Sequence, residues 1–417
     1  PGGRQEFDVH AGVPSQSYLD AGMAIMGDYF MGLDMGEQDV RYLWGYAPHT
    51  VLPGPGDHFE QYMSFRDYSF AIEWKAGGRL ASLSSTVYAH YWLKSGLYTT
   101  AGAETSQSNG NAQMLYAFIR GAGKSYGVPW YGQVSIFNWF GYKIPGDPSP
   151  THPPGPNQCI DQSSHSATCG TSLSLMKRLM LTQLLYDSCY FAFEGQWTYA
   201  ASTADFKQGT ITPIGTLQQQ AKRFFANTTD LGQHVAHIAV MLDFFGGWAR
   251  PCDNKHGGYS AVAWGNGAAW DGADYLADAV FDMAYPGYRG GAMNHDESYY
   301  LSPTPYGDSV DTILNDALPS VIGAYSHVVV AHRMTAEPQE TLRKLSGFVA
   351  GGGTVIITAS SVLDLGGEFA GVSVGGCQAV TEGATFSVAG EAVAEPMPLS
   401  ICKIASPSNA TVLASMH

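Results

Sequence analysis

Residues 97–139 read LYTTAGAETSQSNGNAQMLYAFIRGAGKSYGVPWYGQVSIFNW, and their reading sets the fold class. LYTTAGAETSQ is a short strand entering a polar loop. NAQMLYAFIRGAGKSY has helical spacing, with Met114, Leu115, Phe118 and Ile119 on one face. VPWYGQVSIFNW is strand-like again. Strand, helix, strand, with polar residues where the strands end, is the βα pattern of a parallel sheet.

The pattern extends in both directions. Upstream, residues 1–20 are polar and irregular, 22–34 are apolar and run into the turn GEQD, and 48–58 form a loop. A helical stretch covers about 59–94, interrupted near Gly77-Gly78. Downstream, SLSLMKRLMLTQLLYDS is a helix with Leu175, Leu179 and Met180 on one stripe and Ser172 or Ser174 as cap. CYFAFEGQW follows as a buried strand ending in Glu194. Pro213 opens a further helix, where proline is well placed, with Ile214, Leu217, Ala221, Phe224 and Phe225 on one face. The closed form of such units is a (β/α)8 TIM-type barrel with its active face at the strand C-termini. About four clear strands precede Thr212, against the eight of a complete barrel. Either strands lie undetected in the first hundred residues, or the barrel is incomplete at its N-terminus.

Around residue 234 the pattern resets. HVAHIAVMLDFF opens a second α/β unit, followed by a Gly- and aromatic-rich loop and a helix over about 272–284, with Tyr275, Leu276, Ala279, Val280 and Met283 on one side. YSHVVVAH is a buried strand, 337–350 a helix with Leu342, Leu345, Phe348 and Val349 facing inward, and TVIITAS the next strand after Gly351-Gly352-Gly353. Strand, helix, GGG, strand is a doubly wound α/β motif. No GxGxxG follows a strand, so no dinucleotide site is assigned, and a nucleotide or flavin function is disfavoured. Residues 361–417 alternate short β segments with glycine. The expected division is 1–230 barrel, 231–362 doubly wound α/β domain and 363–417 β-rich C-terminal segment. The start at Pro1-Gly2-Gly3 and the stop at ATVLASMH read as a processed or partial chain.

Composition narrows the function. The net charge of −15 argues against nucleic acid and anionic membrane surfaces as partners. No apolar run reaches transmembrane length. Only 14% of residues are charged, whereas Gly (50), Tyr (24) and Trp (9) are plentiful, which suits aromatic platforms for a neutral ligand such as a sugar. The six cysteines form no CxxC pair. Cys159 and Cys169 bracket a polar loop, and Cys377 and Cys402 flank strand-like segments near the end. These placements, with sequons at Asn227 and Asn409, point to a secreted, disulfide-bonded, glycosylated chain. No metal motif and no cofactor site emerges. GxSxG is absent, and His234 and His237 read as structural.

Two acids stand where barrel chemistry is done. Glu104 ends a short strand, and Glu194 ends an apolar one and is followed by Gln196 and Trp197. Glycosidic hydrolysis needs two carboxyl groups, one to protonate the leaving oxygen and one to stabilise or capture the oxocarbenium-like carbon. Trp197, Gln196, Trp130 and Trp139 are candidate substrate contacts. So is Glu37, in LDMGEQDVRYLWGY with Asp34, Asp39 and Arg41; EF-hand spacing is absent there.

Glu104, Glu194, the TPIGTLQQQAKRFF helix and AVMLDFFGGW together resemble large glycoside hydrolases of the β-galactosidase family 42 type. That resemblance implies a catalytic (β/α)8 barrel, then a flavodoxin-like domain, to which DESYYLSPTPYGDSVDTILNDALPSVIGAYSHVVVAH and ETLRKLSGFVAGGGTVIITA are similar, then a small β domain. It implies Glu104 as acid/base and Glu194 as nucleophile of a retaining hydrolase acting on a poly- or oligosaccharide. Two departures stand out: Ala103 occupies the position where that clan carries Asn, and one strand separates the two Glu where the clan has two. The departure at Ala103, with the low charge, the abundant Gly and aromatic residues and the cut-off look of both ends, favours an alternative, a non-catalytic extracellular carbohydrate-binding or structural protein on a glycosidase-like scaffold, forming a homo-oligomer or larger assembly such as a fibre or cell-surface layer.

Overall fold

The structure is a computed structural model. It describes residues 16–30, 32–36, 38–42, 58–76, 79–84, 87–105, 111–134, 173–193, 200–202, 209–211, 213–228, 230–248, 262–263, 268–288, 301, 303–380, 384–388, 390–395, 399–405 and 414–416.

The first half comprises α1 (Gln16–Met26), β1 (Leu33–Asp34), α2 (Gln38–Arg41), α3 (His58–Ala76), β2 (Leu80–Ser84), α4 (Ala89–Leu93), β3 (Tyr98–Thr105), α5 (Ala112–Tyr126), β4 (Trp130–Val134), α6 (Leu173–Leu185) and β5 (Phe191–Phe193). The five strands pair in parallel in chain order, β1-β2-β3-β4-β5. Within this sheet, β2 lies inside the stretch read as helical. Its sequence, LASLS, has no β-branched residue, so propensity gave no strand signal; burial of all five residues holds it in the sheet.

Alternation splits this sheet into two faces. Leu80, Ala101, Ala103, Trp130 and Val134 join the large core beneath the helices. Ala81, Leu83 and Tyr131 form a separate cluster on the other face, against Tyr190. That second face carries the candidate site.

A hairpin of β6 (Ala200–Ser202) and β7 (Gly209–Ile211) follows, then α7 (Pro213–Asn227). The second unit runs β8 (Ile238–Leu242), β9 (Val262–Ala263), β10 (Ala268–Ala269), α8 (Gly272–Ala284), β11 (Val310–Leu314), α9 (Pro319–Ile322), β12 (His327–Val330), α10 (Pro338–Ala350), β13 (Thr354–Ile357) and α11 (Ala359–Asp364). Its sheet is parallel, in the order β11-β8-β12-β13. The chain leaves β8 first to one side and then to the other, which makes the β8/β12 edge a topological switch point. α8 begins at a capping box in which Asp271 accepts from Ala273 and Asp274 amides and Asp274 reaches back to the Asp271 amide. Its buried side is Ala273, Ala277, Phe281 and Ala284. Tyr275 and Met283, on the side the large apolar residues suggested, are 60% and 54% exposed.

The C-terminal part is antiparallel: β14 (Glu368–Phe369), β15 (Val372–Val380) and β18 (Leu399–Ile404) in one sheet, β16 (Ala384–Val388), β17 (Glu391–Glu395) and β19 (Ala414–Met416) in another. Cys377 and Cys402 face each other on β15 and β18 and are disulfide-bonded. Cys189 is a free, exposed thiol. Cys159, Cys169 and Asn409 lie outside the described residues; Asn227 is exposed at the end of α7.

α5 joins the two halves. Asn111 caps it by accepting from the Met114 amide at 2.9 Å, and Gly127 ends it in the left-handed region at φ 67°. Every residue from Ala112 to Gly123 is buried, because one side packs on β3 and β4 and another on β11. Gly121 is the point of closest approach: a Cβ there would stand 1.7 Å from the Thr312 carbonyl oxygen. Beside it Arg120 and Lys124 both bond Asp311, at 2.8 and 2.6 Å. The large core is continuous across residue 230, including Phe118 and Ile119 together with Val240, Phe281 and Val310.

Candidate functional site

The site is built on the inner face of the five-stranded sheet. Glu104, next to last in β3, is 1% exposed. Its neighbours Ala103 and Thr105 turn the other way: Ala103 joins the large core, and Thr105 meets Gln183 of α6. Glu104 pairs with Gln133 of β4, and Gln133 pairs in turn with Ala192 of β5. Residues opposite in a parallel ladder share a face, so Glu104, half-buried Gln133 and Ala192 form one row.

A second row lies nearer the strand starts. Gly102 pairs with Tyr131. Without a side chain at 102 the Tyr131 ring crosses the sheet; a Cβ there would sit 2.4 Å from Tyr131 Cζ. The Tyr131 hydroxyl donates to Asp34 Oδ2 at 2.9 Å, linking β4 to β1. Asp34 Oδ1 accepts from the Gly36 amide at 2.7 Å. Tyr190 stacks on Tyr131 with ring centres 4.5 Å apart and planes at 8°. Burial raises the Tyr131 pKa well above its usual value, and the charges of Asp34 and Glu104 push it further the same way. Burial likewise raises the Tyr190 phenol, with Asp34 adding to it. Both phenols therefore stay protonated at neutral pH and serve as hydrogen-bond donors. Glu104 and Asp34 are thus two carboxylates within electrostatic reach of one buried hydroxyl.

Sequence reading found Glu104 but not Asp34's partner Tyr131, nor Tyr190. Asp34 and Tyr131 are 97 residues apart, and only the curl of the sheet brings them together. The one available signal was the alternation in WYGQV, which puts Tyr131 and Gln133 on the face opposite Trp130. Trp130, a candidate substrate contact, is turned away from the site: it packs on Tyr116 at 5.4 Å and donates to the Tyr186 carbonyl at 3.2 Å. Glu37, Trp139, Glu194, Gln196 and Trp197 lie outside the described residues.

A second polar concentration sits at the switch point of the other sheet. Asp243, directly after β8, accepts from the amides of Phe245, Thr335 and Ala336 and from the Thr335 hydroxyl. His332, just past β12, contacts Asp274 at 3.3 Å. Burial works against the His332 charge, but the hydrogen bond to Asp274 and the surrounding carboxylates win, and its pKa is raised. These groups tie the ends of β8 and β12 to the start of α8. Among the described residues no group of three or more His, Cys, Asp or Glu is arranged to hold a metal ion, and no helix is long and apolar enough to cross a membrane. A shallow cleft at the start of β4, lined by Lys124, Pro129, Tyr186 and His234, lies at the opposite end of the strands from Glu104.

No protein-family model and no curated protein matches the chain. Among solved structures the fold is similar to the polyextremophilic β-galactosidase from the Antarctic haloarchaeon Halorubrum lacusprofundi, with a TM-score of 0.50 and 12% identity over 95% of this chain. The match covers 59% of that protein, so this chain spans well under its full length. At this identity the likeness concerns the α/β fold alone.

Proposed function

We propose that this chain is a carbohydrate-active protein, a retaining glycoside hydrolase acting on a poly- or oligosaccharide, with Glu104 as acid/base and Glu194 as nucleophile. In this reading the five-stranded sheet belongs to a (β/α)8-type barrel over residues 1–230, 231–362 is a flavodoxin-like unit, and 363–417 is a β-rich appendage. The carrying observation is the place of Glu104, at the C-terminal end of a parallel strand on the face turned away from the helices. Glu194 follows β5 directly in sequence, which supports it as the partner. The glycosidase-like scaffold supports the substrate class.

The burial of Glu104 to 1% favours a second reading: a carboxylate withdrawn from solvent, on a non-catalytic extracellular carbohydrate-binding or assembly protein. The disulfide and the exposed Asn227 sequon support secretion under either reading. Hydrolysis of a panel of 4-nitrophenyl α- and β-glycosides by wild type, Glu104→Gln and Glu194→Gln decides between them. A hydrolase loses turnover in both variants. Turnover that persists in either one removes the two-carboxylate assignment. Saturable sugar binding with no turnover in wild type selects the second reading.

A further inference from the structure

The Glu104 and Glu194 pair leaves the second row of the inner face unused, and that row is built with care. Gly102 leaves space that any side chain would fill, and the Tyr131 ring occupies it. The ring is clamped from one side by Tyr190, stacked at 4.5 Å, and its hydroxyl is bonded to Asp34 at 2.9 Å. Tyr131 is 1% exposed, whereas Asp34 is exposed and Tyr190 half-buried. The buried phenol therefore holds an exposed carboxylate in a fixed place on the same face as Glu104.

A carboxylate accepts hydrogens and donates none, and each of its oxygens can accept more than one. A ligand matched to it offers hydroxyl donors. A stacked aromatic pair beside it suits a ring with an apolar C–H face. A pyranose supplies both. A divalent cation would need more oxygen ligands, and no such group occurs among the described residues.

Resting on the carbohydrate reading above, we propose that Asp34 is a substrate-hydroxyl acceptor of this site, that Tyr131 is the positioning residue that holds it, and that Tyr190 is a platform for the sugar ring. Asp34 then acts in binding, distinct from the bond-breaking carboxyl groups.

The test uses the full chain and the 4-nitrophenyl glycoside turned over best by wild type. Hydrogen bonds to charged groups are the stronger ones, so Asp34→Ala raises KM roughly tenfold or more with kcat little changed. Tyr131→Phe keeps the ring and its stacking but removes the bond to Asp34; it raises KM by a smaller factor, about threefold. Circular dichroism melts of both variants must match wild type for these values to be read. An unchanged KM in folded Asp34→Ala, with Glu104→Gln inactive, overturns the inference and leaves the site reading standing. Full activity of Glu104→Gln overturns the site reading instead. If wild type turns over no glycoside, 13C-tyrosine NMR with cellobiose, lactose and maltose replaces the kinetics, with Tyr131→Phe and Tyr190→Phe providing assignments. Saturable shifts at Tyr131 and Tyr190 that are lost in Asp34→Ala support the inference; signals that do not move with any of the three sugars overturn it.

Discussion

Acidification should destabilise this protein through one buried imidazole. His90, on α4, is 1% exposed, and neither ring nitrogen has a hydrogen-bond partner of ordinary geometry. It sits edge-on to Phe118 at 6.3 Å and Tyr126 at 6.4 Å. Burial lowers its pKa from 6.5 to about 4, with Asp316 and the Thr312 backbone offsetting only part of the loss. The folded value is depressed, so the unfolded chain takes up the proton first as pH falls. Stability is intact above pH 6.5 and is lost progressively toward pH 4. At about 1.4 kcal/mol per pH unit over that interval, the loss comes to about 3 kcal/mol. Carboxylates titrate nearby, so the assay is a difference: urea unfolding of wild type and His90→Phe from pH 7.5 to pH 4. Phe matches the aromatic surroundings and does not titrate. The variant should lie within about 1 kcal/mol of wild type at pH 7.5 and gain on it by about 3 kcal/mol at pH 4. A flat difference curve refutes the reasoning, since it would mean the imidazole is charged or hydrated in the folded state.

Other outcomes follow from the same physical terms. Gly121→Ala should improve helix propensity by about 1 kcal/mol, yet a Cβ placed 1.7 Å from the Thr312 carbonyl must force α5 off β11; overpacking wins, and thermal melts should show a net loss of about 2 kcal/mol or more. His332 works opposite to His90: its pKa is raised, so its contribution is complete below pH 6.5 and fades as pH rises through the folded value. His332→Asn should therefore lie furthest below wild type in acid and converge on it in alkali. Cys377→Ser should cost the C-terminal β segment roughly 3 kcal/mol, because the bond closes a loop with a sequence separation of 25. Hydrogen exchange confined to 372–404 would show it, and protection unchanged there would contradict the estimate.

Much of the fold was legible where local rules agree with packing. α5 announces itself by period, and the structure adds Asn111 at its cap and Gly127 at its end. α6, α7 and α10 follow from similar signals, and Pro213 and Pro338 stand at helix starts. The failures have physical causes. β2 is held by burial alone, and LASLS carries no strand preference of its own. α8 hides its inward side because three of the four apolar residues there are alanines, with Phe281 the one large side chain among them, while Tyr275 and Met283 point outward. β11 (VDTIL) carries two buried polar residues: Asp311 pairs with Arg120 and Lys124 of α5, and the Thr312 backbone carbonyl abuts Gly121. At the site, Glu104 was visible because a strand-end acid is a local signal. The Asp34–Tyr131 bond was not, because no window of sequence contains both residues.

The helix wedged between the two sheets has a consequence for how the molecule comes apart. α5 is the wall of one half and the floor of the other, so neither half owns a finished interior. A nick in the exposed stretch around residue 230 would cut the thread without opening the seam, and the two pieces should travel together until denaturant separates them. Each piece made alone would show a greasy flank where its counterpart belongs. For this chain the covalent join and the mechanical join are in different places.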